Sequence, residues 1–381
     1  MTSRERVVAA LNHQEPDLVP IDFGSGMSTS LVVEAYDKFK SVVGIPGEIT
    51  VLSKLFRVAR LDEAAMVRLN SDCRPIQTKS PTRWTPPATE RGTYVDIWGI
   101  KRRQVFYGEG AYYWELVASP LADATVQDLD RYRWPDPLDP GFTEGLVEEA
   151  QRLYETTDFA IVGDSGFKSL WELAWALRGF EQLMIDLVLN PDFVHTLMGK
   201  LLEVNMAVTE RFLGAVGKYL HVFRTGDDLA AQEGLLMSRA TYQKVLRPHY
   251  RRFFDFIKSK TNAKLFYHSC GNVTDVLDDL IEIGVDAINP VQVSALGDTA
   301  TLKSRFGQKL SFWGGIDTQH VLPRGSVQDV EAEVRRRIRD LGPGGGFVLG
   351  PVHNIQPDVP AENILAMADA ARKFGAYPLV A

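Results

Sequence analysis

His268-Ser269-Cys270 follows directly on the apolar run Ala263-Lys-Leu-Phe-Tyr267. Side chains alternate in an extended segment, so residues two apart share a face, and imidazole and thiol point together. Together they make half of a zinc site, because both are borderline-soft donors and a metal holds the thiol deprotonated. A buried free cysteine beside a hydrogen-bonded histidine reads the same way in sequence. A third ligand must come from another segment, and His353, four residues beyond Phe347-Val-Leu349, is the chosen candidate. His320, in Asp317-Thr-Gln-His320, is read instead as opening a loop or bonding substrate. Asp227 and Asp228 follow Leu220-His-Val-Phe-Arg-Thr and suit three roles: metal ligand, general base or substrate acceptor. A helix N-cap pair in the following loop is the lesser alternative.

These residues need a frame that brings distant segments to one place. Thr2-Ser-Arg-Glu5 has capping-box spacing and predicts a short opening helix. Leu18 to Gly26 reads as a buried strand ending in a glycine loop, and a helix is predicted after it to about Val43. From about 72 to 120, aromatic residues interleave with Pro, Gly and charges, which predicts β-hairpins that could offer aromatic walls to a planar substrate. Later, short apolar strands alternate with helices: 159–163, 220–223, 263–267, 285–289, 310–313 and 347–349. Asn190-Pro191 and Ser326 mark helix starts between them. With the first strand this makes seven strands of one βα pattern, so a single (β/α)8 TIM barrel over 1–381 is expected, with a hairpin-rich insertion at 72–120.

Barrel active sites lie at the C-terminal strand ends. That rule adds Asp22, Asp164, Asn289 and Asp317 to His320 as expected substrate-binding residues. Phosphate-binding fingerprints are missing, since Gly342-Pro-Gly-Gly-Gly346 precedes a strand and no G-x-x-x-x-G-K-[ST] occurs.

The chain has 381 residues, 45% hydrophobic and 24% charged, the composition of an ordinary globular protein. Its 49 acidic and 42 basic side chains give −7, a field that disfavours nucleic acid and membrane surfaces as partners. Two cysteines are too few for a disulfide framework, and the N-terminus is charged from Arg4. No apolar run approaches the roughly eighteen residues of a membrane span. A cytoplasmic protein is expected.

Several stretches together resemble the uroporphyrinogen decarboxylase-like superfamily, and within it the corrinoid-linked methyltransferases. They are Thr2 to Asp17 with Val19-Pro-Ile-Asp22, Gly226-Asp-Asp228, Phe266-Tyr-His-Ser-Cys-Gly271, Gly284-Val-Asp-Ala-Ile-Asn-Pro290, Gly314-Gly-Ile-Asp317 and Pro357-Asp-Val-Pro-Ala-Glu-Asn363. The resemblance implies a (β/α)8 barrel with a zinc site of pattern His-x-Cys and a later Cys. His268 and Cys270 match the first half, whereas His353 stands where the later Cys is expected. Histidine in place of thiolate makes the metal more Lewis acidic, which suits an ether oxygen better than a thiol acceptor. The decarboxylases' Arg-Gln-Ala-Gly-Arg motif has no counterpart, since Phe23-Gly-Ser-Gly-Met27 carries no cation.

The resemblance therefore implies an O-demethylase type of methyltransferase. Zn2+ is its expected cofactor, and a corrinoid (cobalamin) arrives on a separate protein because no D-x-H-x-x-G pattern is present. The expected substrate is a small methylated donor, a methoxylated aromatic, and a homodimer is open to the chain. The alternatives are methyl transfer from methylcorrinoid to a thiol such as coenzyme M, decarboxylation, and a non-catalytic binding barrel.

Overall fold

In the computed structural model, which describes residues 1–108 and 111–379, seven strands form one parallel sheet. Its order is Phe347–Pro351, Ser311–Ile316, Ala287–Asn289, Lys264–His268, Val222–Gly226, Ala160–Asp164 and Cys73–Gln77. Ile21 closes the sheet into a ring: it makes a parallel bridge to Leu349 on one side. On the other, its carbonyl accepts the Asp72 amide at 2.8 Å and its own amide donates to Asp72 Oδ2 at 2.9 Å. With that eighth stave the fold is a (β/α)8 barrel. Helices Pro191–Val216, Arg247–Lys260 and Val327–Leu341 lie between successive strands in the chain, and Ala361–Phe374 follows the last strand. Ser326 caps the third of these with a capping box to Asp329. No described helix is long and apolar enough to cross a membrane.

Two expectations shift. The predicted strand from Leu18 to Gly26 pairs within the barrel at Ile21, because the glycine loop turns away immediately beyond Asp22. The hairpin region also begins later than 72, because Cys73–Gln77 is a barrel strand in register with Ala160–Asp164. What remains is an antiparallel sheet of Thr93–Val95, Lys101–Gly108 and Ala111–Ala118. Its aromatics pack largely on one another, with Tyr94–Trp114 ring centres at 4.5 Å and Tyr112–Trp114 at 5.6 Å. Edge-to-face contacts of this kind use up ring faces that an aromatic wall would offer to substrate.

The opening helix Ser3–Leu11 has its capping box, with the Glu5 amide donating to Thr2 Oγ1 at 3.1 Å. Its Val7 and Leu11 join the inward residues Val162, Val222, Phe266 and Val348 in one buried cluster, so the helix plugs the lower end of the barrel. Most strands run past their apolar segments into residues of weak β-propensity, among them Gly226, Gly314-Gly315 and Gly350-Pro351. Each of these weak formers is held in register by one neighbouring strand, Gly226 by His268 and Gly314-Gly315 by Leu349-Gly350.

Candidate metal centre

His268 ends its strand and Cys270 lies two residues on, with Cys270 Sγ 3.5 Å from His268 Nε2. His353 follows the strand Phe347–Pro351, three staves away, and its ring centre lies 5.9 Å from that of His268. One ligand atom from each of the three lies within 4.8 Å of the others, and all three side chains are partly open. Barrel closure is what brings His353 to a pair that lies far earlier in the chain.

Each imidazole has one nitrogen committed. His268 Nδ1 is 2.6 Å from Asn289 Oδ1. The Asn289 amide is oriented by the Ser28 hydroxyl, which donates to Oδ1 at 3.0 Å, and by the Trp313 carbonyl, which accepts from Nδ2 at 3.0 Å. His353 Nδ1 is 2.6 Å from Asn354 Oδ1, an oxygen that also accepts Gln356 Nε2 at 2.8 Å. An oxygen opposite Nδ1 requires the proton there, which leaves Nε2 of both rings as lone-pair donors. Outer partners of this type fix the tautomer and ring orientation of metal-binding histidines. Tyr107 of the hairpin extends the second chain by donating to Gln356 Oε1 at 3.2 Å.

The protonation states fit the same use. Burial, then Arg224 and His353, hold the His268 imidazole well below its ordinary value, and burial also lowers His353. Both are neutral near pH 7. Burial, then Asp228 and Glu172, push the Cys270 thiol up, so it keeps its proton until a cation replaces it. Two imidazole nitrogens with free lone pairs and pinned tautomers, joined by one sulfur, form a donor set zinc accepts.

The remaining expected residues separate. Asp228 belongs to the centre: its Oδ1 accepts the Cys270 amide at 2.8 Å and lies 3.8 Å from His268 Nε2. Asp227, expected to be catalytic, is instead a structural cap. It is fully buried and accepts the amides of Leu170, Trp171 and Glu172 at 2.6, 2.9 and 2.8 Å, plus Tyr250 Oη at 2.8 Å, at the start of helix Trp171–Arg178. Asn289, expected to bind substrate, holds His268. Asp22 is fully buried, with Oδ2 taken by Ser25 Oγ at 2.5 Å and Trp313 Nε1 at 2.9 Å. Asp164 is ion-paired to Lys168 and Arg224. Asp317 accepts the amides of Gln319 and His320 at 2.6 and 3.0 Å and the His320 ring at 3.2 Å, so this pair forms a self-contained, outward turn. Their polar atoms are used where they stand.

Glu172 escaped the sequence reading. It sits in the first turn of helix Trp171–Arg178, and burial followed by the Asp228 and Asp227 charges pushes its carboxyl well up. Its only signal is a carboxylate inside the apolar stretch Leu170-Trp-Glu-Leu-Ala174 after a barrel strand. Asn354 stands beside His353 among the strand-end polar residues, whereas Ser28 and Gln356 have no sequence signal, because single polar residues in loops carry no periodicity.

A parallel barrel with a soft-donor cluster and buried carboxyls at its C-terminal mouth defines an enzyme-type α/β barrel. The uroporphyrinogen decarboxylase (URO-D) family model matches residues 116–374. The chain belongs to that family. It is 26% identical over 282 residues to a uroporphyrinogen decarboxylase of Thioalkalivibrio sulfidiphilus, covering 70% of this chain and 75% of that protein. It is 27% identical over 153 residues to the methylcobamide:CoM methyltransferase MtaA of Methanosarcina barkeri, covering 40% of this chain and 42% of that protein. A solved methyltransferase from Methanosarcina mazei shares the fold, with a TM-score of 0.70 at 21% identity over 98% of this chain and 99% of that one.

Proposed function

We propose that this barrel is a cytoplasmic, zinc-dependent methyltransferase that takes a methyl group from a small methoxylated aromatic and delivers it to the cob(I)alamin of a separate corrinoid protein. The observation that carries this reading is the convergence of one ligand atom each from His268, Cys270 and His353 at the barrel mouth, with an amide oxygen against each Nδ1. His268, Cys270 and His353 would hold the zinc, which would supply a Lewis acid for an aryl ether oxygen, a poor leaving group without one. The chain's own groups do the rest. Neutral His268 and His353 give the metal less electron density than thiolates would, which keeps it electrophilic. Burial raises the Asp228 carboxyl above its ordinary value, which suits it to relay a proton to the departing aryl oxide. In balance, the ether O–CH3 bond breaks, the methyl group leaves with cobalt's electron pair forming the new bond, and the aryl oxide takes the proton.

The MtaA relative supports corrinoid chemistry, and its name also raises the reverse direction, from methylcorrinoid to thiol. The longer match to a decarboxylase favours decarboxylation as a second reading, against which stands the cation-free loop Phe23-Gly-Ser-Gly-Met27. One set of assays with zinc-loaded protein separates them. Methoxylated arenes with cob(I)alamin should give methylcobalamin and the free phenol, and Cys270→Ser should abolish it. Brisk thiol methylation from methylcobalamin with no methoxylated donor, or loss of CO2 from uroporphyrinogen, would defeat the proposal.

A further inference from the structure

Inside the mouth, two cations share one oxygen of one carboxylate. Asp164 Oδ2 accepts Lys168 Nζ and, at 3.4 Å, Arg224 Nη1, while Oδ1 takes the Gly166 amide at 2.8 Å. The three side chains are nearly enclosed, at 5% exposure for Asp164, 13% for Lys168 and 4% for Arg224. Asp164 is thus the one carboxylate in direct contact with both cations, while Glu172 acts on Lys168 and Asp22 on Arg224 only through space. Arg224 Nη2 donates to Ser28 Oγ at 2.6 Å, but its Nε is buried with no hydrogen-bond partner among the described residues. Asp22 makes no direct contact with Arg224: its Oδ2 is tied to Ser25 and Trp313, and burial raises its carboxyl. An uncompensated buried cation costs several kcal/mol, so folding stability alone gives no reason to keep this arrangement.

The excess charge lies beside the metal centre. Arg224 is two residues before Gly226, which pairs in register with His268, so alternation turns Arg224 to the same inward face as Phe266 and His268. Its guanidinium carbon stands 5.4 Å from the centre of the Phe266 ring. The glycine loop after the first stave is shaped around it, since a Cβ on Gly26 would come within 2.5 Å of Arg224 Nη1. Arg224 and Lys168 both act on His268, and Arg224 acts on His353 as well.

We infer that the methyl donor carries a carboxylate, held by Lys168 with Arg224 behind it, while the methyl-bearing oxygen lies toward His268, Cys270 and His353. This deepens the methyl-transfer reading and rests on it for the identity of the reacting oxygen. A carboxylate is the small planar anion that an enclosed ammonium–guanidinium pair can accept through charge-assisted hydrogen bonds. On binding, it would give the second cation the partner that Asp164 cannot.

The test reads binding, without any corrinoid. Calorimetry on zinc-loaded protein should show 3-methoxybenzoate binding about tenfold or more tighter than 3-methoxybenzamide, the worth of one charge-assisted contact. In Lys168→Gln the ratio should fall to near one. That variant leaves Asp164 with Arg224 one to one, so it is expected to fold, and retained zinc content verifies it. Equal binding of acid and amide by the wild-type protein would overturn the inference. So would a ratio that persists in folded Lys168→Gln, since the carboxylate would then be held elsewhere, for instance on the metal. If Lys168→Gln fails to fold, the wild-type comparison alone decides. Absent demethylation in the turnover assays would defeat the reading above and leave this binding result intact.

Discussion

The same eight staves enclose two different interiors. In the lower one, Val162, Val222, Phe266, Ala287 and Val348 meet Val7 and Leu11 of the plugging helix, and the space is filled by apolar side chains. In the upper one, the next inward positions of the same strands are Asp164, Arg224, His268 and Asn289, joined by hydrogen bonds and ion pairs rather than by packing. Two residues along a strand separate fill from chemistry. The lower layer can hold the barrel closed without help, which frees the upper layer to carry partly satisfied cations, depressed imidazoles and a thiol that lacks its cation.

That division can be broken from either side. Cys270→Ser has the largest expected consequence: most bound zinc and all methyl transfer should disappear, while the unfolding midpoint of the metal-free protein stays in place. Metal analysis and denaturant titration on one preparation check both halves, and collapse of the fold would mean that the mouth is structural. Leu11→Ala in the plug should do the reverse. It should cost about 2–5 kcal/mol of stability, the usual range for a core leucine, with zinc content per folded molecule unchanged. Loss of zinc there would show the two layers to be coupled.

Asn289→Ala should leave all three ligands but free the His268 ring to rotate and change tautomer. Zinc affinity is expected to fall by about 10–100-fold, as is typical when an outer partner is removed, and competition with a chelator measures it. The smallest effect concerns protons. Burial, Asp228 and Glu172 keep the Cys270 thiol protonated, and depressed imidazoles are already neutral. Zinc binding should therefore release about one proton near pH 7, and affinity should weaken by about tenfold for each unit the pH falls. Calorimetry in two buffers of different ionisation enthalpy reads the number directly, and zero protons would take the thiol out of the set.

The upper layer was also the more legible in sequence, for a physical reason. His268, Cys270 and His353 are rare residue types placed just past apolar runs, so type and position together marked them. Asp227 and Asp228 show the limit: adjacent in sequence and chemically alike, they face opposite ways, one into a helix N-terminus and one toward the ligands. Which way each turns depends on Leu170 to Glu172, far earlier in the chain, and no local pattern contains that. The strand Cys73–Gln77 falls at the start of the stretch 72–120 expected to form hairpins, and Pro75 within it is unusual for a barrel strand. It survives because its neighbour on the first-stave side pairs only at Ile21. Arg224 lies one residue beyond the apolar run 220–223, and only the longer strand Val222–Gly226 shows, by the alternation Val222, Arg224, Gly226, that it is on the inward face.

X-ray absorption at the zinc edge of the wild-type protein and of His353→Ala is the most direct test of the metal centre. One equivalent of zinc bound by one sulfur and two imidazole nitrogens, with one imidazole lost in the variant and the sulfur retained, is the expected result. A wild-type spectrum without sulfur, or a variant spectrum unchanged from wild type, would contradict the assignment of His268, Cys270 and His353 to a single metal.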